Sequence, residues 1–102
     1  MIEYKITKNN KNYYVNISGH AGHDDEGYDI VCASVSTLTI TIINVINDLG
    51  YSYNIKNLNK KNGFLSFDIE SADEIIERIM NTFIDSLIDL ESQYPSNIKN
   101  LN

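Results

Sequence analysis

Apolar and polar positions alternate at the start of the chain. Ile2, Tyr4 and Ile6 share one face, and Tyr13, Val15 and Ile17 repeat the pattern after the polar run Asn9-Asn10-Lys11-Asn12. Successive side chains of a strand point to opposite faces, so this predicts two strands joined by a turn. Residues 29 to 49 are rich in Val, Ile and Thr, which favour strands, yet alternation holds only over Leu38, Ile40 and Ile42. Val31, Val35, Leu38, Ile42, Val45 and Leu49 recur at intervals of four and three along the segment, which is a helical stripe. Asp29 is placed to cap that helix and Gly50 to end it. Residues 51 to 59 and 64 to 70 alternate again, with the hairpin dipeptide Asn62-Gly63 between them. Ser71-Ala72-Asp73-Glu74 has capping-box spacing. Ile76, Ile79, Phe83, Leu87, Leu90 and Tyr94 then follow at helical spacing as far as Pro95. The tail 96–102 is polar and is expected to fray.

The predicted order is strand, strand, helix, strand, strand, helix. Such an order packs as an α+β two-layer sandwich, a mostly antiparallel four-stranded sheet with both helices on one face. Residues 1–95 form a single domain in this reading, because 102 residues leave room for one core. The other sheet face meets water or a partner. Tyrosines on the strands are candidates to line it, which suggests a homodimer.

Charge narrows the partners. The net charge is −6, and residues 12–55 contain no lysine or arginine. Nucleic-acid binding needs a basic face, which this region cannot supply; the charge suits a basic partner, or solubility alone. Residues 1–8 alternate and do not read as a signal peptide, and no apolar run is expected to reach bilayer length. No direct nucleic-acid binding, no membrane association and a cytoplasmic location are the expectations.

The reactive side chains are concentrated in one stretch. Residues 19–36, GHAGHDDEGYDIVCASVS, hold three of the five glycines, both histidines and the only cysteine, with four acids between positions 24 and 29. A lone cysteine forms no internal disulfide and no Cys-rich zinc site. With Asp29 as N-cap, Cys32 falls at the third helical position, where the unpaired N–H groups and the dipole favour a thiolate. Cys32 also lies about 100° around the helix from Val31, at the edge of the apolar stripe. A nucleophilic thiol needs a base, and His20 is in reach if the intervening loop folds back, with Gly19, Gly22 and Gly27 as hinges. From the residues alone Cys32 stays a packing residue, a nucleophile, or a metal ligand together with His20 and His23. Asp29 either caps the helix or orients a histidine.

Gly19-His20-Ala21, then Gly27, then Asp29-Ile30-Val31-Cys32-Ala33 followed by Ser36, resembles the ribosomal-processing cysteine protease Prp family over the whole domain. Ser34 stands where that family has a smaller residue. The resemblance implies a cysteine protease that removes an N-terminal extension from large-subunit ribosomal protein twenty-seven, cutting after an aromatic residue. It implies Cys32 as nucleophile, His20 as general base and acid, supporting roles for Asp29 and Ser36, a homodimer, and neither metal nor other cofactor. The basic tail of a ribosomal protein would meet the acidic loop, with Tyr28 lining the substrate groove or anchoring the loop. A non-catalytic module that grips the same tail is the alternative.

Overall fold

The computed structural model describes residues 1–19, 26–61, 63–71 and 73–102. The elements are β1 (Ile2–Asn9), β2 (Asn12–Ser18), α1 (Glu26–Asp48), a 3₁₀ turn (Ser52–Asn54), β3 (Ile55–Lys61), β4 (Phe64–Glu70), α2 (Glu74–Gln93) and β5 (Ile98–Asn100). The expected α+β sandwich is present, but its sheet has five strands, in the order β3-β4-β2-β1-β5. All neighbours are antiparallel except β1 and β5.

Alternation carries through to packing. Tyr4 pairs with Ile17 across β1–β2, and Tyr13 and Val15 pair with Ile69 and Phe67 across β2–β4. These residues all face one side and are buried there with Ile2 and Ile98. The two helices contact each other and complete this core. Phe67 on the sheet meets Phe83 on α2 with ring centroids 6.5 Å apart, tilted at 46°, an arrangement that suits the aromatic quadrupoles.

Four local expectations change. The tail is not frayed: Ile98 is fully buried, and Ile2 N–H donates to the Asn97 carbonyl at 2.8 Å. Two apolar residues three positions apart, Ile98 and Leu101, give no alternation, so a three-residue strand is invisible until β1 offers it an edge. Residues 52–54 form a 3₁₀ turn, so the third strand begins at Ile55. Asp73 rather than Ser71 caps α2, accepting from the N–H groups of Ile75 and Ile76 at 2.9 and 3.3 Å; Ser71 is buried, and its N–H donates to the Lys11 carbonyl at 2.7 Å. Of the strand tyrosines Tyr14 alone is on the open face, exposed on β2, whereas Tyr4 and Tyr13 belong to the core and Tyr51 and Tyr53 lie outside the strands.

Helix α1 departs from expectation at its start and in its facing. It begins at Glu26, so Asp29 is exposed inside the helix and does not cap it. Gly27, expected as a loop hinge, lies within α1 instead; intrinsic propensity is a weak prior that tertiary context overrides. The buried residues are Val31, Val35, Thr39, Ile42 and Ile46, while Val45 and Leu49 are exposed. A seven-residue repeat drifts against 3.6 residues per turn, so the face that meets the sheet moves around the helix, toward Cys32. Thr39 satisfies its hydroxyl on the Val35 carbonyl at 2.7 Å. The C-terminus is as expected: Gly50 has φ +91°. The N–H groups of Gly50 and Tyr51 donate to the carbonyls of Asn47 and Ile46 at 3.1 and 3.0 Å, a Schellman closure. By length and composition Asp29–Asp48 is also apolar enough to cross a membrane, contrary to the expectation. Here its apolar stripe lies against the sheet, as in the core helix of a folded domain.

Candidate functional site

Cys32 sits at the edge of the α1 core face, half-buried and packed against the core. It opens into a groove of about 470 Å³. From α1 the groove receives Cys32, Val35, Ser36, Thr39 and Ile40. Cys32, Ser36 and Ile40 follow one another at four-residue steps, so one row of side chains forms this wall. The facing wall is the end of β2, with Ile17, Ser18 and Gly19, and the tip of the β3–β4 hairpin, with Lys60, Lys61, Gly63, Phe64 and Leu65. Ile2 lies at the base.

The groove exists because the hairpin returns beside β2. The last pair of the β2–β4 ladder is Ser18 with Phe64. One step further, Gly19 N–H donates to the Gly63 carbonyl at 2.9 Å. Gly63 has φ +77°, in the left-handed region that the tight turn requires. The cleft is mostly apolar with convergent polar groups, the usual form of a ligand site. Its described rim carries two exposed lysines, Lys60 and Lys61. No charged residue lies between Asp29 and Asp48 on the helix.

The structure brings some of the candidate residues together and not others. Cys32 and Ser36 come together in the groove, and Gly19 lies on the opposite wall. Cys32 is the seventh residue of α1, not the third. The helix-end field falls off within the first turn, so Cys32 lies beyond its strongest reach. Asp29, freed from capping, lies three residues before Cys32 and seven before Ser36, on the same side of the helix. Gly27 and Tyr28 belong to the first turn of α1 rather than to a loop. His20, Gly22 and His23, with Ala21, Asp24 and Asp25, lie outside the described residues. Among the described residues no cluster of three His, Cys, Asp or Glu side chains is placed to hold a metal ion.

Sequence reading missed the hairpin wall. Lys60, Lys61, Gly63 and Phe64 are about thirty residues from Cys32 in the chain. Asn62-Gly63 announced a turn, but nothing local says which strand that turn adjoins. Only the pairing of β4 with β2 brings it to the thiol.

Comparison with known proteins gives this geometry its context. The family model for cysteine protease Prp matches residues 1–99. The ribosomal processing cysteine protease Prp of Staphylococcus aureus is 31% identical over 104 residues, spanning 97% of this chain and 96% of its own. A crystal structure of the essential ribosomal processing protease Prp from S. aureus with a substrate peptide superposes with a TM-score of 0.77. It is 30% identical and covers 98% of this chain and 97% of its own. The same S. aureus protease with a covalently linked product peptide gives a TM-score of 0.73 at 31% identity, with the same coverage.

Proposed function

The chain belongs to the cysteine protease Prp family, and from that premise we propose that Cys32 and His20 form its catalytic dyad. The observation that carries this reading is the position of Cys32: the chain has a single cysteine, and that cysteine opens into the apolar groove. A cysteine protease with one thiol has one candidate nucleophile.

In the proposed reaction His20 takes the Cys32 proton, and the thiolate attacks the scissile carbonyl carbon. The resulting tetrahedral intermediate collapses as the imidazolium protonates the departing amine, leaving a thioester on Cys32. Water, deprotonated by the same imidazole, then hydrolyses the thioester and restores the thiol. Asp29, on the Cys32 side of α1, is assigned to orient and stabilise the imidazolium. Ser36 is assigned to the groove wall one turn beyond the thiol. A relative bearing a covalently linked product peptide fits an acyl-enzyme route.

The proposed substrate is the N-terminal extension of large-subunit ribosomal protein twenty-seven, cut after an aromatic residue, in the cytoplasm. The mostly apolar groove suits an aromatic side chain beside Phe64 and Leu65. The net charge of −6 favours encounter with a basic ribosomal tail. Lys60 and Lys61 on the rim are assigned to the carboxylate end of the released extension. A homodimer is proposed through the outer side of α1, where Ile30 and Val45 are about 40% exposed (43% and 39%) on a stretch with no charged residue from position 30 to 47.

Incubating the protein with a peptide copying the extension and weighing the products tests the reading. Wild type yields two fragments and Cys32→Ala yields none. General-base removal in His20→Ala slows cleavage by about 10² to 10⁴. Equal cleavage by Cys32→Ala would remove the assignment.

A further inference from the structure

Gly50 and Gly63 both have positive φ, at +91° and +77°, but their surroundings differ. A Cβ on Gly50 would meet nothing within 4 Å; a Cβ on Gly63 would lie 2.4 Å from the Gly19 carbonyl oxygen and 3.6 Å from the carbonyl carbon. Gly50 needs only a backbone conformation. Gly63 needs that conformation and an empty space. The contact is with backbone, not with a flexible side-chain end, so a Cβ there forces the Gly19 peptide to move.

The peptide in question joins Gly19 to His20. Its plane includes the Gly19 carbonyl and the His20 nitrogen, because the peptide bond is rigid. On the other side of Gly19 the chain is tied down: Gly19 N–H donates to Gly63 O at 2.9 Å, one step past the Ser18–Phe64 pair. The hairpin tip therefore holds Gly19 by a hydrogen bond at its nitrogen, while the Gly19 carbonyl occupies the space that a side chain on Gly63 would need. Both residues also line the groove that contains Cys32.

We propose that Gly63 is a positioning residue for catalysis: by lacking a side chain it lets the hairpin tip close on Gly19 and so sets the peptide plane from which His20 departs. Its effect on the reaction passes through the Gly19–His20 bond. This inference rests on the His20–Cys32 dyad proposed above.

Gly63→Asn and Gly50→Asn test it together. Asparagine tolerates the left-handed region better than other residues with a Cβ, so each variant isolates what its Cβ meets. Cleavage of the extension peptide is followed as kcat and KM separately, with the folded fraction taken from a thermal melt at the assay temperature. Displacement of a catalytic group by about 1 Å costs on the order of 10²-fold in rate. Gly63→Asn is expected to lose kcat on that scale per folded molecule with KM little changed, and Gly50→Asn to keep wild-type kcat. A Gly63→Asn enzyme with wild-type kcat per folded molecule overturns the proposal. So does one with no cooperative melt, because the clash would then reach the sheet as a whole rather than one peptide plane. His20→Ala separates the two readings. If it still cleaves like wild type, the dyad falls; if it is inactive while Gly63→Asn is fully active, the dyad stands and the positioning role falls.

Discussion

The two long helices lie on the same face of the same sheet and are built differently. α2 is a scaffold helix. It buries Ile76, Met80, Phe83 and Leu87 along one stripe and carries acids in its first turn, with an exposed Arg78–Glu74 pair at 2.7 Å. α1 buries Val31, Val35, Ile42 and Ile46 in the same way, yet it has no charged residue from position 30 to 47. One flank of α1 forms the groove wall with Cys32, Ser36 and Ile40, and another exposes Ile30 and Val45. A helix with a charged outer face meets water there. A helix without one keeps surface available for other chain, and α1 does so on the groove flank of Cys32 and on the separate flank of Ile30 and Val45.

The sharpest test of this contrast is a pair of substitutions. Cys32→Ala on α1 is expected to abolish peptide cleavage while keeping a cooperative melt close to that of wild type. Phe83→Ala on α2 is expected to do the reverse: to lower unfolding free energy by about 3–5 kcal/mol, read by denaturant titration, while the remaining folded molecules still cleave. A Cys32→Ala protein that cannot fold would make the thiol a packing residue and erase the difference between the helices.

Smaller effects probe the uncharged flank. Ile30→Lys is an exposed change and should alter monomer stability by no more than about 0.5 kcal/mol. If α1 carries the dimer contact, the same change shifts the mass measured by light scattering toward the monomer. Unchanged mass at equal concentration would assign that flank to solvent.

The smallest predicted effect concerns the cap of α2 and depends on pH. The Tyr51 hydroxyl donates to Asp73. That hydrogen bond, with the N–H groups of Ile76 and Ile75 adding to it against some desolvation, holds the Asp73 carboxyl below its ordinary value. A carboxyl depressed in the folded state contributes stability that is present above the unfolded pKa, near 3.9, and is lost as pH falls through the folded value. Tyr51→Phe should therefore melt slightly lower than wild type at neutral pH, and the gap should close on acidification below about pH 4. A gap independent of pH would show that Tyr51 acts by packing alone.

Much of this architecture was legible from short-range pattern. Alternation at 2–6 and 13–17 marked β1 and β2, Asn62-Gly63 marked the β3–β4 turn, and Gly50 marked the end of α1. These features depend on a few consecutive residues, whose preferences survive in any tertiary context. The start of α1 differs from the sequence reading because Asp29, a good cap by residue type, lies inside a helix that begins at Glu26. The cap of α2 was misread between Ser71 and Asp73, two residues of similar capping ability that differ in where the sheet leaves them. Of the candidate site, Cys32, Ser36 and Gly19 were readable from the motif, and the opposite wall at Lys60, Gly63 and Phe64 was not.

The sequence by itself determined the order and kind of the main elements, the single thiol and its place beside the apolar stripe, because periodicity and residue chemistry are local properties. Tertiary structure alone decided that β4 lies next to β2, that Ile98 completes the sheet, and that the hairpin tip closes on Gly19 across the groove from Cys32. Those outcomes depend on the total burial and hydrogen bonding of segments distant in the chain. No window of neighbouring residues contains that sum.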